Sequence, residues 1–107
     1  MSENREYCKR IVEEIEEYAA GKMVDDDGNQ LGLYDYLADV LDYEFTIDSQ
    51  KEYQSAKIWV TLGGPNVWID TAERAVKLAW WTDRAEYPLD WNVCEEIDDI
   101  MREIYEC

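Results

Sequence analysis

The apolar positions of the chain recur first with a helical period and then with a period of two. In residues 2–20 they fall three and four positions apart, which predicts an amphipathic helix with Ser2 as its N-cap and Gly21 just beyond its end. Residues 31–41 repeat this spacing more briefly and predict a short second helix. The stripe of the first helix that should face the core consists of Cys8, Ile11, Val12, Ile15, Tyr18 and Ala19.

Apolar and polar residues begin to alternate at Tyr43, and this alternation predicts four strands. They cover residues 43–47, 55–62, 67–71 and 75–81. The tetrapeptide Gly63-Gly64-Pro65-Asn66 is a tight connection, because glycine adopts positive φ easily and proline fixes its own φ. Short connections between successive strands predict an antiparallel meander. Residues 82–89 are polar and are predicted to form a loop.

Helical periodicity returns at the carboxyl-terminal end of the sequence. Asp90 is predicted to cap a helix over residues 91–105, with the apolar stripe Val93, Cys94, Ile97, Ile100, Met101, Ile104 and Tyr105. Two helices, four strands and a helix, without an internal repeat, predict a two-layer α+β fold in which one face of the meander packs on the helices. The length of 107 residues fits one domain over residues 1–107.

The charge of the chain narrows the classes of function. Twenty-six Asp and Glu residues against ten Lys and Arg residues give a net charge of −16, and there is no histidine. The 47% of hydrophobic residues and the 13% of aromatic residues favour a folded protein over an acidic disordered tail. Carboxylates repel phosphates, so direct binding of nucleic acid is excluded. Without histidine the commonest general base and metal ligand is missing.

The three cysteines do not form a recognisable framework. Cys8 and Cys94 fall on apolar helical stripes and are expected to be buried, whereas Cys107 is expected to be an exposed thiol. Their odd number and the absence of a C-x-x-C spacing argue against disulfides and a zinc site. No apolar run approaches the roughly 18 residues that a membrane span needs, and the amino terminus lacks a hydrophobic signal core. We therefore expect a cytoplasmic protein.

The acidic run Asp25-Asp26-Asp27 invites comparison with a calcium-binding loop. Placing Gly28 at the sixth position of an EF-hand puts Met23 at the first position and Tyr34 at the twelfth, where carboxylates are required. An acidic turn is the better interpretation, and a cation there or at Asp98-Asp99 is a weak, unspecific alternative. There is no glycine-rich phosphate loop, and carboxylate pairs are too common to indicate acid–base catalysis. We expect no enzyme activity, no metal and no cofactor.

The excess negative charge is concentrated outside the central strands. Residues 55–88 contain four acids and four bases, whereas residues 89–107 contain seven acids and one base. Carboxylates three or four positions apart on a helix lie about 5–6 Å apart, comparable to successive phosphates of a nucleic acid. Two interpretations follow: nucleic-acid mimicry towards a basic partner, or a solvated surface that keeps the protein soluble. The residues predicted to contact a partner are Glu13, Glu14, Glu16, Glu17, Glu95, Glu96, Asp98, Asp99 and Glu103.

A second candidate surface is aromatic. If the apolar positions of the strands face the helices, then Trp59, Trp68 and Trp81 share the opposite face of the sheet. This face is either a protein-binding or homodimer surface, or it is covered by residues 82–89 and by pairing among the tryptophans themselves. The negative field disfavours a stacking platform for bases.

The segment GGPNVWIDTAERAVKLAWWTD, residues 63–83, precedes the acidic carboxyl-terminal helix. Over roughly residues 31–105 the chain resembles small, acidic, uncharacterised proteins of phages and mobile elements in gut Firmicutes. In size and acidity it is similar to anti-CRISPR and antirestriction proteins. This resemblance implies no catalytic residues and a small inhibitor that occupies the nucleic-acid-binding surface of a defence nuclease.

We therefore expect a protein that binds a basic, nucleic-acid-handling partner, such as a Cas nuclease, in a bacterial host and blocks its access to DNA or RNA. The alternative is a non-catalytic interaction module that forms a homodimer through the tryptophan face and whose acidity serves solubility.

Overall fold

Three helices and five strands follow one another in the order ααβββββα in a computed structural model that describes residues 3–107. The helices are α1 (Glu3–Ala19), α2 (Leu33–Ala38) and α3 (Trp91–Glu106). The strands are β1 (Asp42–Ile47), β2 (Tyr53–Thr61), β3 (Asn66–Asp70), β4 (Ala75–Trp80) and β5 (Asp83–Pro88). The α+β class is confirmed, and the predicted cap Ser2 lies outside the described residues.

The strands form an antiparallel meander in sequence order, and the prediction of four strands is wrong. Residues 82–89, predicted as a loop, contain the fifth strand, which pairs with β4 along its whole length. Trp80 pairs with Asp83, so that Trp81 and Thr82 form a two-residue turn in which Trp81 has a φ of 55°. Such turns usually require glycine, asparagine or aspartate at positive φ. Because tryptophan is not one of these residues, rules based on local sequence do not predict this hairpin.

The core lies between one face of the sheet and the helices. α1 packs on β4 and β5, and α3 packs on β2. The strands supply the fully buried residues Ile58, Val67, Ile69, Val76 and Leu78. The predicted helical stripes are confirmed at their centres, since α1 buries Cys8, Val12 and Ile15 and α3 buries Cys94, Ile97 and Met101. Each such side chain contributes about 1.5–3 kcal/mol when it is fully buried.

The ends of α2 and α3 are set by carboxylates. The backbone N–H of Gly32 donates to the Asp35 side chain at 2.8 Å, so α2 begins at Leu33 and is shorter than predicted. The Asp90 carboxylate accepts hydrogen bonds from the backbone N–H groups of Asn92 and Val93, which confirms the predicted cap of α3.

The outer strands β1 and β5 form the two edges of the sheet. β1 is exposed along its length except at Phe45, which is half-buried and packs against the rings of Tyr43, Tyr53 and Tyr105. On the side away from the helices, which we call the outer sheet face, β1 presents Asp42 and Glu44.

Candidate partner-binding surfaces

Eight of the nine acidic residues predicted to contact a partner have exposed side chains. The buried stripes of α1 and α3 leave the intervening helical positions in solvent. We call these eight residues the acidic helix faces: Glu13, Glu14, Glu16 and Glu17 on α1, and Glu95, Glu96, Asp99 and Glu103 on α3.

Asp98 is the exception, because its carboxylate holds α3 on the sheet. It is half-buried and accepts a hydrogen bond of 2.5 Å from the hydroxyl of Tyr53 on β2, which is only 6% exposed. Burial first, and then this hydrogen bond to Asp98, raise the pKa of Tyr53. The Asp98 charge therefore serves the packing of α3 on β2.

Four of the five arginines lie on aromatic rings. Within residues 3–107, a guanidinium carbon lies over a ring in four pairs: Arg5 over Tyr87 at 4.7 Å, Arg10 over Tyr7 at 5.6 Å, Arg74 over Trp91 at 3.7 Å and Arg102 over Tyr53 at 5.2 Å. Such cation–π contacts keep the cation close to an apolar surface.

Few of the helix carboxylates are neutralised by neighbouring cations. Arg102 contacts Asp99 at 3.1 Å in an exposed ion pair of α3. In the described part of the chain, the four carboxylates of α1 that belong to the acidic helix faces have no ion-pair partner. The acidic helix face of α1 therefore presents its full charge to solvent.

The outer sheet face carries a cross-strand tryptophan pair. Trp59 on β2 and Trp68 on β3 lie directly opposite each other, with ring centroids 5.0 Å apart, and both are half-buried. Trp81 lies in the β4–β5 turn and is 85% exposed. Since Trp68 is opposite Lys77, four residues before Trp81, the turn lies about 13 Å along the strand from the pair. The structure therefore joins two of the three tryptophans and separates the third.

Charges on the outer sheet face alternate in sign. Lys57 lies between Glu44 and Asp70 in the strand register. Lys77 lies opposite Glu86 and forms an ion pair with Glu73, which raises the pKa of Lys77 and lowers that of Glu73. This face is close to neutral, in agreement with the even count of acids and bases in residues 55–88.

A cavity of about 540 Å³ is lined by side chains of β3, β4 and β5 together with Arg5 of α1, and the sequence offered no signal for it. Its lining includes Arg5, Trp68, Lys77 and Arg84, with Glu86 as the acid. In the part of the chain that the structure describes, the indole Nε1 of Trp68 is buried and has no hydrogen-bond partner.

A smaller cavity of about 220 Å³ lies where α1, α2 and β2 meet, and we call it the α1–α2 pocket. The rings of Tyr18 and Tyr36 meet edge to face with centroids 5.1 Å apart. Burial first, and then the negative charge of Glu14, raise the pKa of Tyr36, so its hydroxyl stays protonated at neutral pH. Residues lining the pocket are Ile11, Glu14, Tyr18, Tyr36, Asp39, Val40 and Val60. Of these, only Glu14 was among the predicted site residues.

The acidic turn is held together by hydrogen bonds to the carboxylate of its first residue, Asp25. Asp25 accepts hydrogen bonds from the backbone N–H groups of Asp27 and Asn29, both at 2.9 Å, and from the Asn29 side chain. These bonds, that from the Asn29 backbone first, lower the pKa of Asp25. Within residues 3–107 no group of three or more histidine, cysteine or acidic side chains is arranged to hold a metal ion.

The cysteines lie as the sequence predicts. Cys8 and Cys94 are buried and Cys107 is exposed, all as free thiols. Burial raises the pKa of the Cys8 thiol to about 11 and that of the Cys94 thiol to about 12. These two thiols stay protonated at neutral pH and are poor nucleophiles.

No protein-family model matches the chain, and no curated protein or solved structure is significantly similar to it. In the described part of the chain, no helix has both the length and the apolar character to cross a membrane. The resemblance to proteins of mobile elements therefore remains a prediction, and the function is argued from the surfaces alone.

Proposed function

We propose that the protein binds a basic, nucleic-acid-handling protein and blocks its access to DNA or RNA, as anti-CRISPR and antirestriction inhibitors do. A Cas nuclease is the most specific candidate partner. The observation that supports this proposal is the exposure of the eight carboxylates of the acidic helix faces, combined with arginines that lie on rings.

The spacing of these carboxylates suits a basic groove. Neighbours three or four positions apart, such as Glu13 and Glu17 or Glu95 and Asp99, lie about 5–6 Å apart on a helix. A groove that holds phosphates contains lysines and arginines, and its bound anions are released when a competitor occupies it. A net charge of −16 also speeds the encounter with a basic protein, more so at low salt.

A second candidate function, self-association, is supported by apolar side chains at the hairpin tips. Trp81 is 85% exposed, and Trp80 and Leu62 at the same end of the sheet are also exposed. Trp59 and Trp68 contribute less, because they cover each other. A homodimer through the tips would tolerate salt, since burial of apolar surface does not depend on screening.

The test is capture from nuclease-treated bacterial lysate, with Cas nuclease–guide complexes added, at low and moderate salt. We expect a nucleic-acid enzyme to be captured at low salt and released by added DNA or RNA. Neutralising four helix acids (Glu13→Gln, Glu17→Gln, Glu95→Gln and Glu103→Gln) removes about 0.5 kcal/mol per contact. The sum of about 2 kcal/mol corresponds to a loss of affinity of roughly 30-fold.

The matched control removes the same charge elsewhere, with Asp26→Asn, Asp27→Asn, Glu44→Gln and Glu52→Gln, all exposed positions. It should weaken binding only a few-fold through the long-range field. Equal losses for both variants, or capture that withstands neutralisation of the helix acids, would contradict the proposal. Capture of the protein alone, lost with Trp81→Ala, would favour the homodimer.

A further inference from the structure

We infer that the α1–α2 pocket is an anchor site for one arginine side chain of the protein partner. This inference rests on the proposed function for its partner, but the binding of an arginine side chain can be tested on the isolated protein.

The lining of the pocket divides into an apolar floor and an acidic rim. Ile11, Val40 and Val60 are half-buried, whereas Glu14 and Asp39 are exposed. An arginine side chain has the complementary division, since its methylene groups pack on apolar surface while its charged head stays near water. No basic residue is among the lining residues, so the charge of an incoming guanidinium meets only carboxylates.

The two tyrosines favour a guanidinium over an ammonium group. Tyr18 and Tyr36 both line the pocket, and a planar, weakly hydrated guanidinium stacks on aromatic rings better than a compact ammonium does. This protein uses the same contact within its own fold, as in Arg74 over Trp91 at 3.7 Å. The protonated Tyr36 hydroxyl leaves Glu14 and Asp39 as the negative groups of the site.

The larger cavity lined by β3, β4, β5 and Arg5 does not suit a basic side chain. Three cations, Arg5, Lys77 and Arg84, line it with one acid, Glu86, and this excess of positive charge would repel an incoming cation. The acidic helix face of α1, by contrast, adjoins the α1–α2 pocket, because Glu14 belongs to both. One arginine inserted there would fix the position of a partner that the surrounding carboxylates attract without precise geometry.

The first experiment titrates ¹⁵N-labelled protein with N-acetyl-arginine amide and, as the matched control, N-acetyl-citrulline amide, which has nearly the same shape without the charge. We expect chemical shift changes that saturate in the millimolar range and centre on Tyr18, Tyr36, Val40 and Val60. Citrulline should bind at least tenfold more weakly. Equal binding of the two compounds, shift changes spread evenly over the acidic helix faces, or no saturation would overturn the inference.

The second experiment compares two double variants with equal charge. Glu14→Gln with Asp39→Asn removes the acidic rim, whereas Glu13→Gln with Glu17→Gln removes two acids of α1 outside the pocket. We expect at least a tenfold loss of arginine amide binding for the first pair and less than twofold for the second. Equal losses would contradict the inference. Unfolding midpoints of both variants show that each is folded, and Tyr36→Phe, which keeps the ring, should retain binding.

The two proposals fail separately. If the pocket pair leaves capture of a nucleic-acid enzyme unchanged while the four helix substitutions abolish it, the anchor site is wrong and the inhibitor function stands. If arginine amide binds at the pocket as expected and no nucleic-acid enzyme is captured, the site stands and the inhibitor function is wrong.

Discussion

The acidic helix faces and the outer sheet face differ in how their charged side chains are paired. Within residues 3–107, the carboxylates of Glu13 and Glu17 on α1 face solvent and have no ion-pair partner, and the nearby Arg10 lies on a tyrosine ring. On the sheet, Lys57 lies between two acids and Lys77 is paired with Glu73. The excess negative charge thus lies outside residues 55–88, in which acids and bases are equal in number.

Because of this difference, the two surfaces are suited to different kinds of binding partner. Unpaired carboxylates attract a basic partner and lose that attraction in salt. A neutral face with a stacked tryptophan pair stabilises the sheet and offers little long-range attraction. The function of this protein should therefore respond to charge on the helices, and its stability to packing on the sheet.

We expect the largest difference between the two sides of the sheet at alkaline pH. The thiols and phenols with raised pKa values lie on the side that packs against the helices. Unfolded thiols ionise near 9.0, whereas the pKa of Cys8 is about 11 and that of Cys94 about 12. Below pH 9 these thiols are protonated in both states, and their contribution to the free energy of unfolding is fully present. Above pH 9 the unfolded state loses protons that the folded state keeps, so the free energy of unfolding falls as pH rises. From these two thiols we expect a decrease of roughly 5 kcal/mol by pH 11, measured by urea unfolding.

Cys94→Ala should flatten this pH dependence even though it lowers the starting stability. Trp59→Phe on the outer sheet face should leave the slope unchanged. A slope that is the same in all three proteins would show that the buried thiols are not its cause.

Removing the tryptophan pair should have the next largest effect. Trp68→Ala deletes the ring that covers Trp59, and we expect a loss of about 3 kcal/mol in the free energy of unfolding. Trp81→Ala, at the exposed turn, should change it by less than about 0.5 kcal/mol. Chemical denaturation measures both, and similar losses would mean that the pair does not stabilise the sheet.

The hydrogen bond between sheet and helix should contribute less. Tyr53→Phe removes the donor to Asp98, and we expect a loss of about 1 kcal/mol. Asp99→Asn, next to it on α3 but exposed, is the control and should change stability by less than about 0.5 kcal/mol. An effect of Asp99→Asn as large as that of Tyr53→Phe would indicate that the charge of α3, not the hydrogen bond, is the cause.

Removal of a negative charge should change the free energy of unfolding in opposite directions on the two surfaces. Glu13→Gln with Glu17→Gln relieves repulsion on α1 and should stabilise the protein by about 0.5 kcal/mol at low salt. Glu73→Gln breaks the pair with Lys77 and should destabilise the protein slightly. Thermal unfolding with and without 0.5 M salt, at which the screening length is about 5 Å, should show both effects shrink. Effects of equal sign would contradict the separation of the two surfaces.

Much of the fold was predictable because α1, α3 and the central strands have strong apolar periods. The stripe around Ile15 and the alternation around Ile58 each match one regular structure. β5 was missed because only Ala85 and Tyr87 are apolar in it and its turn places Trp81 at positive φ. Rules based on local sequence do not find β5, because the feature that identifies it as a strand is its pairing with β4.

The candidate site was predictable in its charge and not in its shape. Exposure of Glu13 or Glu103 follows from the helical period alone. The bond from Tyr53 to Asp98, the contact of Trp59 with Trp68 and the meeting of Tyr18 with Tyr36 all join residues of different elements. Such contacts depend on how helices and strands are placed relative to one another, which periodicity does not specify.

The carboxylates of β1 have a consequence for handling the protein in solution. An exposed sheet edge can pair with the same edge of another copy and start ordered aggregation. In that arrangement Asp42 and Glu44 of the two copies would face one another, and like charges directly opposite are unfavourable. At the isoelectric point of about 4.1 the chain has no net charge to keep copies apart. Fibril-like precipitates should therefore form first in acidic, high-salt solutions, and they should contain natively folded chains joined through β1.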